Sequence, residues 1–244
     1  MFSPLFNAVT MTIAAMFLAF CVLDALHRAR SFEVQPHWRL RGALAFLGYF
    51  AVAGYAPLVC DAWLADHALL DLSAWPLWGQ FILGLLAIEL GIYAWHRTMH
   101  ETDFLWRHLH QTHHSAERVD IWGAFWFHPL DMAGWALLGS LVLVGGLGIA
   151  PQAAIAVALT TAFLSMFTHA NIRTSHWLGW FISRPEMHAL HHERGVHRWN
   201  YSDLPLWDIV FGTWRNPRHW DGQAGFHDRG SLKLWPLLIG RKLA

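Results

Sequence analysis

The side chains most able to do chemistry in this 244-residue chain are its histidines, which number 18. His96 and His100 stand four residues apart in HRTMH, so a helix would place both imidazoles on one face. The motifs HQTHH and HALHH each space three histidines at i, i+3 and i+4, and one more stands alone in FTHANIR. The candidate metal ligands are His96, His100, His110, His113, His114, His169, His188, His191 and His192.

Nine imidazoles are more than one zinc ion can use, because zinc takes four ligands. They suit two metal ions with four or five ligands each. Imidazole binds iron, zinc, copper and nickel, so the ligand type alone does not select the metal. If a lipid reaches the site, oxidation of its C–H bonds requires a redox metal that activates O2, and zinc has no redox chemistry.

Three further polar residues are candidates for supporting the ligand imidazoles. Glu89 precedes His96 by seven residues on the same helix face, where it could orient a ligand or pair with another polar group between helices. His128 precedes Pro129 and could orient a ligand or be a spare ligand. Asp208 follows HALHH and could orient a ligand, cap a helix or form a turn. In contrast, His108 is predicted to point away from the other histidines of its motif.

The elements that must position these residues are predicted to be membrane-spanning helices. The chain is 55% hydrophobic and 14% charged, whereas a soluble domain averages about 25% charged residues. Its 16 tryptophans suit the belt at a membrane interface. Lys+Arg and Asp+Glu are equal at 17, so no nucleic-acid partner is expected. Five stretches are long and apolar enough to span a bilayer, near 5–26, 43–64, 75–95, 131–149 and 152–169.

The basic residues predict the orientation of these spans. Four arginines lie between the first and second spans, and none of the 17 basic residues lies between the second and third. By the positive-inside rule the first of these loops is cytoplasmic. We therefore expect one all-α integral membrane domain, 1–244, in a bacterial inner membrane or the endoplasmic reticulum. Its histidine-rich helical cap, formed by 96–130 and 169–244, would carry the active site on the cytoplasmic side.

The series HRTMH, HQTHH, FTHANIR and HALHH resembles the fatty acid hydroxylase/sterol desaturase superfamily of membrane di-iron oxygenases. The segments LWRHLHQTHHS, FHPLD and NYSDLPLWDIVFGTW agree with it. The resemblance implies two iron ions held by the nine histidines, and O2 as co-substrate in the hydroxylation or desaturation of a sterol, fatty acyl or other lipid. The chain departs from the pattern at Ser165, where some relatives carry another histidine, and at Trp126, where arginine is common.

Such chemistry requires electrons from a partner. The chain shows no flavin fingerprint, and its two cysteines cannot build an iron–sulfur cluster. A reductase, ferredoxin or cytochrome is therefore expected to dock on the cap. The candidate docking residues, which could equally bind anionic lipid head groups, are Arg194, Arg198, Arg215 and Arg218.

Other classes of function remain open on the sequence alone. A metal transporter would place its ligands near the middle of the bilayer, whereas these motifs lie at one boundary. A membrane metallohydrolase would carry glutamate inside its metal motif, where HRTMH has Arg97. A metal-binding protein without catalytic activity is the third alternative.

Overall fold

The computed structural model describes residues 5, 7–227 and 229–243, and over these residues it is helical with no β-strand. Residue 6 of the predicted first span, and residues 1–4, 228 and 244 of the predicted domain, lie outside this description. The all-α fold class is confirmed. Five helices are long and apolar enough to cross a membrane: α1 (Ala8–Leu26), α2 (Trp38–Asp66), α3 (Leu77–Glu101), α6 (Pro129–Gly139) with its π-helical continuation Ser140–Gly146, and α7 (Pro151–His169).

These five helices present much of their apolar surface outward. In α2 the most apolar 18-residue window is only 6% buried inside the protein. A soluble protein rarely exposes a continuous apolar surface of that extent. Lipid is therefore the solvent of these faces, and the chain is an integral membrane protein.

Local sequence sets where these helices begin. Pro129 and Pro151 occupy the first turns of α6 and α7, where the missing proline N–H costs no hydrogen bond. Between them, Gly148 adopts a positive φ of 56°, and a Cβ there would lie 2.3 Å from the carbonyl oxygen of Leu70. Glycine thus allows α6 and α7 to form a tight hairpin against the link between α2 and α3.

Shorter helices follow α3 and α7 and form the cap. The first cap segment contains α4 (Asp103–Leu105), a π-helix (Trp106–His110) and α5 (Gln111–His114). The second contains α8 (Pro185–His191), α9 (Leu206–Val210) and α10 (Leu234–Leu238). Together with the adjoining ends of the spanning helices, these segments surround the histidines.

Buried carboxylates tie the cap to the spanning helices. Asp24, near the end of α1, accepts hydrogen bonds of 2.8 Å from the backbone N–H groups of Ile121 and Asn171. Glu89 of α3 accepts from the backbone N–H groups of Asp203 and Leu204 at 3.0 and 2.9 Å. Because a buried carboxylate is costly without such donors, these contacts hold both cap segments in register with the membrane helices.

Candidate metal centre

The nine predicted histidines converge in space as two neighbouring groups. Within each group, one ring nitrogen of every histidine lies within 4.8 Å of the others. All nine side chains are buried except the half-buried His100. The five-histidine group comprises His96, His100, His110, His114 and His191. The four-histidine group comprises His113, His169, His188 and His192.

Each motif of three histidines contributes to both groups. In HQTHH, His113 joins the four-histidine group, and its two companions join the other. In HALHH, His191 alone joins the five-histidine group. Adjacent residues of a helix point about 100° apart. The helices α5 and α8 lie between the two groups, so each motif can direct imidazoles into both. A shared helix face in the sequence therefore does not mean a shared metal.

The backbone carbonyls of a single loop orient three imidazoles of the five-histidine group. These carbonyls belong to alternate residues, and each accepts a hydrogen bond from a histidine Nδ1. The pairs are His100 with His197 at 2.8 Å, His191 with Trp199 at 2.7 Å, and His96 with Tyr201 at 2.8 Å. Because Nδ1 donates its proton to a carbonyl, Nε2 of each neutral ring is left as a free ligand.

That loop has a costly backbone conformation. His197, Trp199 and Asn200 have φ values of 41°, 77° and 50°, in the left-handed region that residues other than glycine rarely adopt. The Asn200 side chain holds the shape, donating to the carbonyl of Met187 at 3.1 Å and accepting from the N–H of Arg215 at 2.8 Å. Strain maintained in this way is typical of a functional site.

A buried carboxylate orients a fourth imidazole of this group. Asp131, in the first turn of α6, accepts from Nδ1 of His110 at 2.8 Å, and both side chains are almost fully buried. In the four-histidine group, His169 donates from Nδ1 to the carbonyl of Ser165 at 2.8 Å, one turn earlier in α7. Ser165 therefore contributes its backbone oxygen, rather than its side chain, to the orientation of His169.

The nitrogens that face one another are placed to ligate a shared cation. Nε2 of His96 lies 3.0 Å from Nε2 of His110, although both rings donate through Nδ1, so two lone pairs confront each other. In the other group, Nε2 of His169 lies 3.2 Å from Nε2 of His113 and 3.0 Å from that of His188. Among the described residues, Nε2 of His100, His114 and His191 has no hydrogen-bond partner despite burial. This donor set fits bound metal ions.

Burial also keeps the ligands in the form that binds metal. Removal from water, followed by repulsion from neighbouring imidazoles, lowers the pKa of the ligand histidines in the cap well below the usual value. These are His110, His113, His114, His188, His191 and His192. Only a neutral imidazole has a lone pair to give, so the rings are ready to coordinate at neutral pH.

An apolar cavity of about 460 Å³ opens on histidines of both groups. Along α7 its lining runs from Ala154 to His169, which corresponds to about 22 Å of helix. All five spanning helices contribute apolar side chains, among them Ile13, Phe46, Ile88, Leu138 and Val157. The cavity thus leads from the histidines through the membrane domain, and its size suits a small-molecule ligand.

The predicted supporting residues take different positions. Among the described residues Glu89 is hydrogen-bonded to no imidazole and instead accepts from the backbone N–H groups of Asp203 and Leu204. Asp208 accepts from the N–H groups of Tyr201 and Ser202 at 2.9 Å, so it stabilises the loop whose carbonyl orients a ligand. These two carboxylates therefore stabilise the backbone of residues 201–204 rather than orienting a ligand imidazole themselves.

Two other histidines lie outside the groups. His128 accepts from the N–H of Leu130 at 3.1 Å and caps α6. His108 bonds through Nδ1 to the carbonyl of Phe104 at 2.9 Å. The sequence did not identify Asp131 or His197 as part of the site. The only signal for Asp131 was its place in FHPLD. His197 lies beside the five-histidine group, with its Nδ1 3.1 Å from Nδ1 of His114.

Three of the matched relatives, from a bacterium and two plants, have names that describe the oxidation of a lipid. An ornithine lipid hydroxylase of Rhizobium tropici is 34% identical over 159 residues, covering 63% of this chain and 47% of the relative. Sphinganine C4-monooxygenase 2 of Arabidopsis thaliana is 27% identical over 143 residues, covering 55% and 54%. A Delta(7)-sterol-C5(6)-desaturase of Nicotiana tabacum is 30% identical over 138 residues, covering 54% and 48%. No solved structure gives a significant match.

The matches extend over about half the length of these relatives. The family profile described as fatty acid hydroxylase matches residues 81–213, which include all nine histidines of the two groups. That region is more than half of the chain, and it agrees with the resemblance seen in the histidine motifs. The chain therefore belongs to the fatty acid hydroxylase family.

Proposed function

We propose that the protein catalyses O2-dependent oxidation of a C–H bond in a lipid at a di-iron centre, giving an alcohol or an alkene. The observation that carries the proposal is the pair of buried histidine groups at the end of an apolar cavity between membrane-spanning helices. The lipid hydroxylase, monooxygenase and desaturase among the relatives support the same class of reaction.

The five-histidine group would hold one iron and the four-histidine group the other. Bound iron would activate O2, which imidazole alone cannot do. The protein's own residues orient the ligands: the carbonyls of the 197–201 loop and the Asp131 carboxylate keep each Nδ1 protonated and each Nε2 directed inward. The apolar cavity excludes water and positions the lipid chain beside the histidines.

The substrate we propose is a membrane lipid, whether a sterol, a fatty acyl chain or another lipid. Its apolar part would enter the cavity between the spanning helices from the bilayer. Electrons would come from a reductase, ferredoxin or cytochrome that docks on the cap. Two of the candidate docking arginines, Arg198 and Arg215, stack over the ring of Trp199 at 4.7 and 4.0 Å, next to the loop that orients the ligands.

Metal content tests the proposal. We expect about two iron ions per chain, one for each histidine group, in protein purified anaerobically from iron-replete cells. Elemental analysis should be combined with O2 uptake on a panel of lipids, and the lipids of the host should be compared with and without the gene. A preparation that holds one zinc and no iron yet oxidises lipid would contradict the di-iron assignment. Iron-loaded protein that transports metal or hydrolyses lipid without consuming O2 would support the alternative functions.

The orientation in the membrane is a second expected result. From the distribution of basic residues, we expect the cap and the active site to face the cytoplasm. Reporter domains fused after Leu70, between α2 and α3, and after Ala244 should report opposite sides of the membrane. The same side from both fusions would contradict five crossings. Opposite sides with the Leu70 fusion in the cytoplasm would place the histidines outside.

A further inference from the structure

A second cavity, of about 370 Å³, lies at the link between α1 and α2, away from the histidine groups. Its lining carries three guanidinium groups, those of Arg28, Arg39 and Arg118. Arg118 is paired with Asp120 at 2.8 Å, whereas Arg28 and Arg39 are exposed and have no ion pair among the described residues. The cavity therefore has an excess of positive charge.

The lining also contains a buried amide without a partner. The side chain of Gln35 is only 5% exposed, and neither its Nε2 nor its Oε1 has a hydrogen-bond partner among the described residues. Burying an amide without a partner is unfavourable. An acceptor inside this cavity would satisfy the Gln35 N–H₂ group.

The start of α2 adds further donors. Its N-cap residue, His37, has a φ of 51° and provides no capping side chain. The N–H groups of Trp38 and Arg41 bond to backbone carbonyls, whereas those of Arg39 and Leu40 have no partner among the described residues. The first turn of α2 contains no acidic residue. An open helix N-terminus of this kind attracts anions.

We propose that this cavity binds the phosphate group of an anionic phospholipid in the leaflet beside the cap. The arginines, the Gln35 amide and the open N-terminus of α2 together favour an anion. A lipid phosphate is favoured over a free phosphate because the cavity joins two membrane-spanning helices. Val34 and Leu40 in its lining are 83% and 58% exposed, so an apolar surface borders the charge. Guanidinium groups bind phosphate through paired hydrogen bonds.

Native mass spectrometry of the detergent-purified protein tests the site with three probes: phosphatidylglycerol, phosphatidylcholine and inorganic phosphate. We expect phosphatidylglycerol to bind preferentially. Loss of each arginine should weaken its binding about 5-fold, so Arg28→Ala/Arg39→Ala should weaken it about 25-fold. The matched control, Arg241→Ala/Lys242→Ala, removes two exposed charges elsewhere and should bind normally.

The variant Gln35→Leu separates binding from folding. Because it removes an unpartnered amide, its melting temperature without lipid should equal or exceed that of the wild type, while phosphatidylglycerol binding falls. The proposal would be overturned if phosphatidylglycerol and phosphatidylcholine bound equally, or if the double arginine variant or Gln35→Leu bound phosphatidylglycerol normally. It would also be overturned if inorganic phosphate bound as strongly as phosphatidylglycerol.

Discussion

Replacing His113 or His191 by alanine is expected to abolish lipid oxidation and to lower the bound iron. His113 belongs to the four-histidine group and His191 to the five-histidine group, and both are buried. Each change therefore removes a ligand from a different proposed metal. Iron content and O2-dependent product formation should be measured on the same purified samples.

His108→Ala is the matched control, because it removes a histidine from the same segment of the chain. Its ring bonds to the Phe104 carbonyl and belongs to neither group. We expect most activity and nearly all iron to remain. If His108→Ala were as inactive and iron-poor as His113→Ala, while remaining folded and monodisperse, the assignment of ligands would be wrong.

Asp131→Leu is expected to weaken iron binding or activity by about 10- to 100-fold, the usual cost of losing the partner of a metal-bound imidazole. The Asp131 carboxylate is the acceptor for Nδ1 of His110, at 2.8 Å and away from water. Leucine has the same branched arrangement of four side-chain heavy atoms but no acceptor, so the ring is free to rotate or to change tautomer. Iron retention during titration with a chelator, together with kcat, reports the effect.

Asp131→Asn distinguishes hydrogen-bond acceptance from negative charge. Its amide oxygen can still accept from His110, so much of the iron affinity should return, whereas a role that depends on the negative charge predicts no rescue. Asp103→Leu serves as the control, since the Asp103 carboxylate forms surface ion pairs with Arg107 and Lys242 and belongs to neither histidine group. Wild-type iron retention in Asp131→Leu would show that Asp131 does not position a ligand.

The local sequence pattern was sufficient to predict the membrane-spanning helices and to identify the candidate histidine ligands. Hydropathy over about 20 residues identifies a spanning helix because the bilayer imposes that length whatever the rest of the chain does. Imidazoles at i, i+3 and i+4 identify candidate ligands for a similar local reason. The five spanning-length helices and the convergence of the nine histidines agree with these expectations.

Only the tertiary structure divided the histidines between two groups and showed what orients them. His96 meets the carbonyl of Tyr201 across 105 positions of sequence, and His100 meets that of His197 across 97. Every residue has a carbonyl, so no sequence pattern marks the few that accept from a ligand. Likewise, Glu89 lies on the predicted face of α3 but holds the Asp203–Leu204 backbone, because the donors nearest to it come from a distant loop. Spacing along a helix determines which side chains share a face, but long-range packing determines what that face meets.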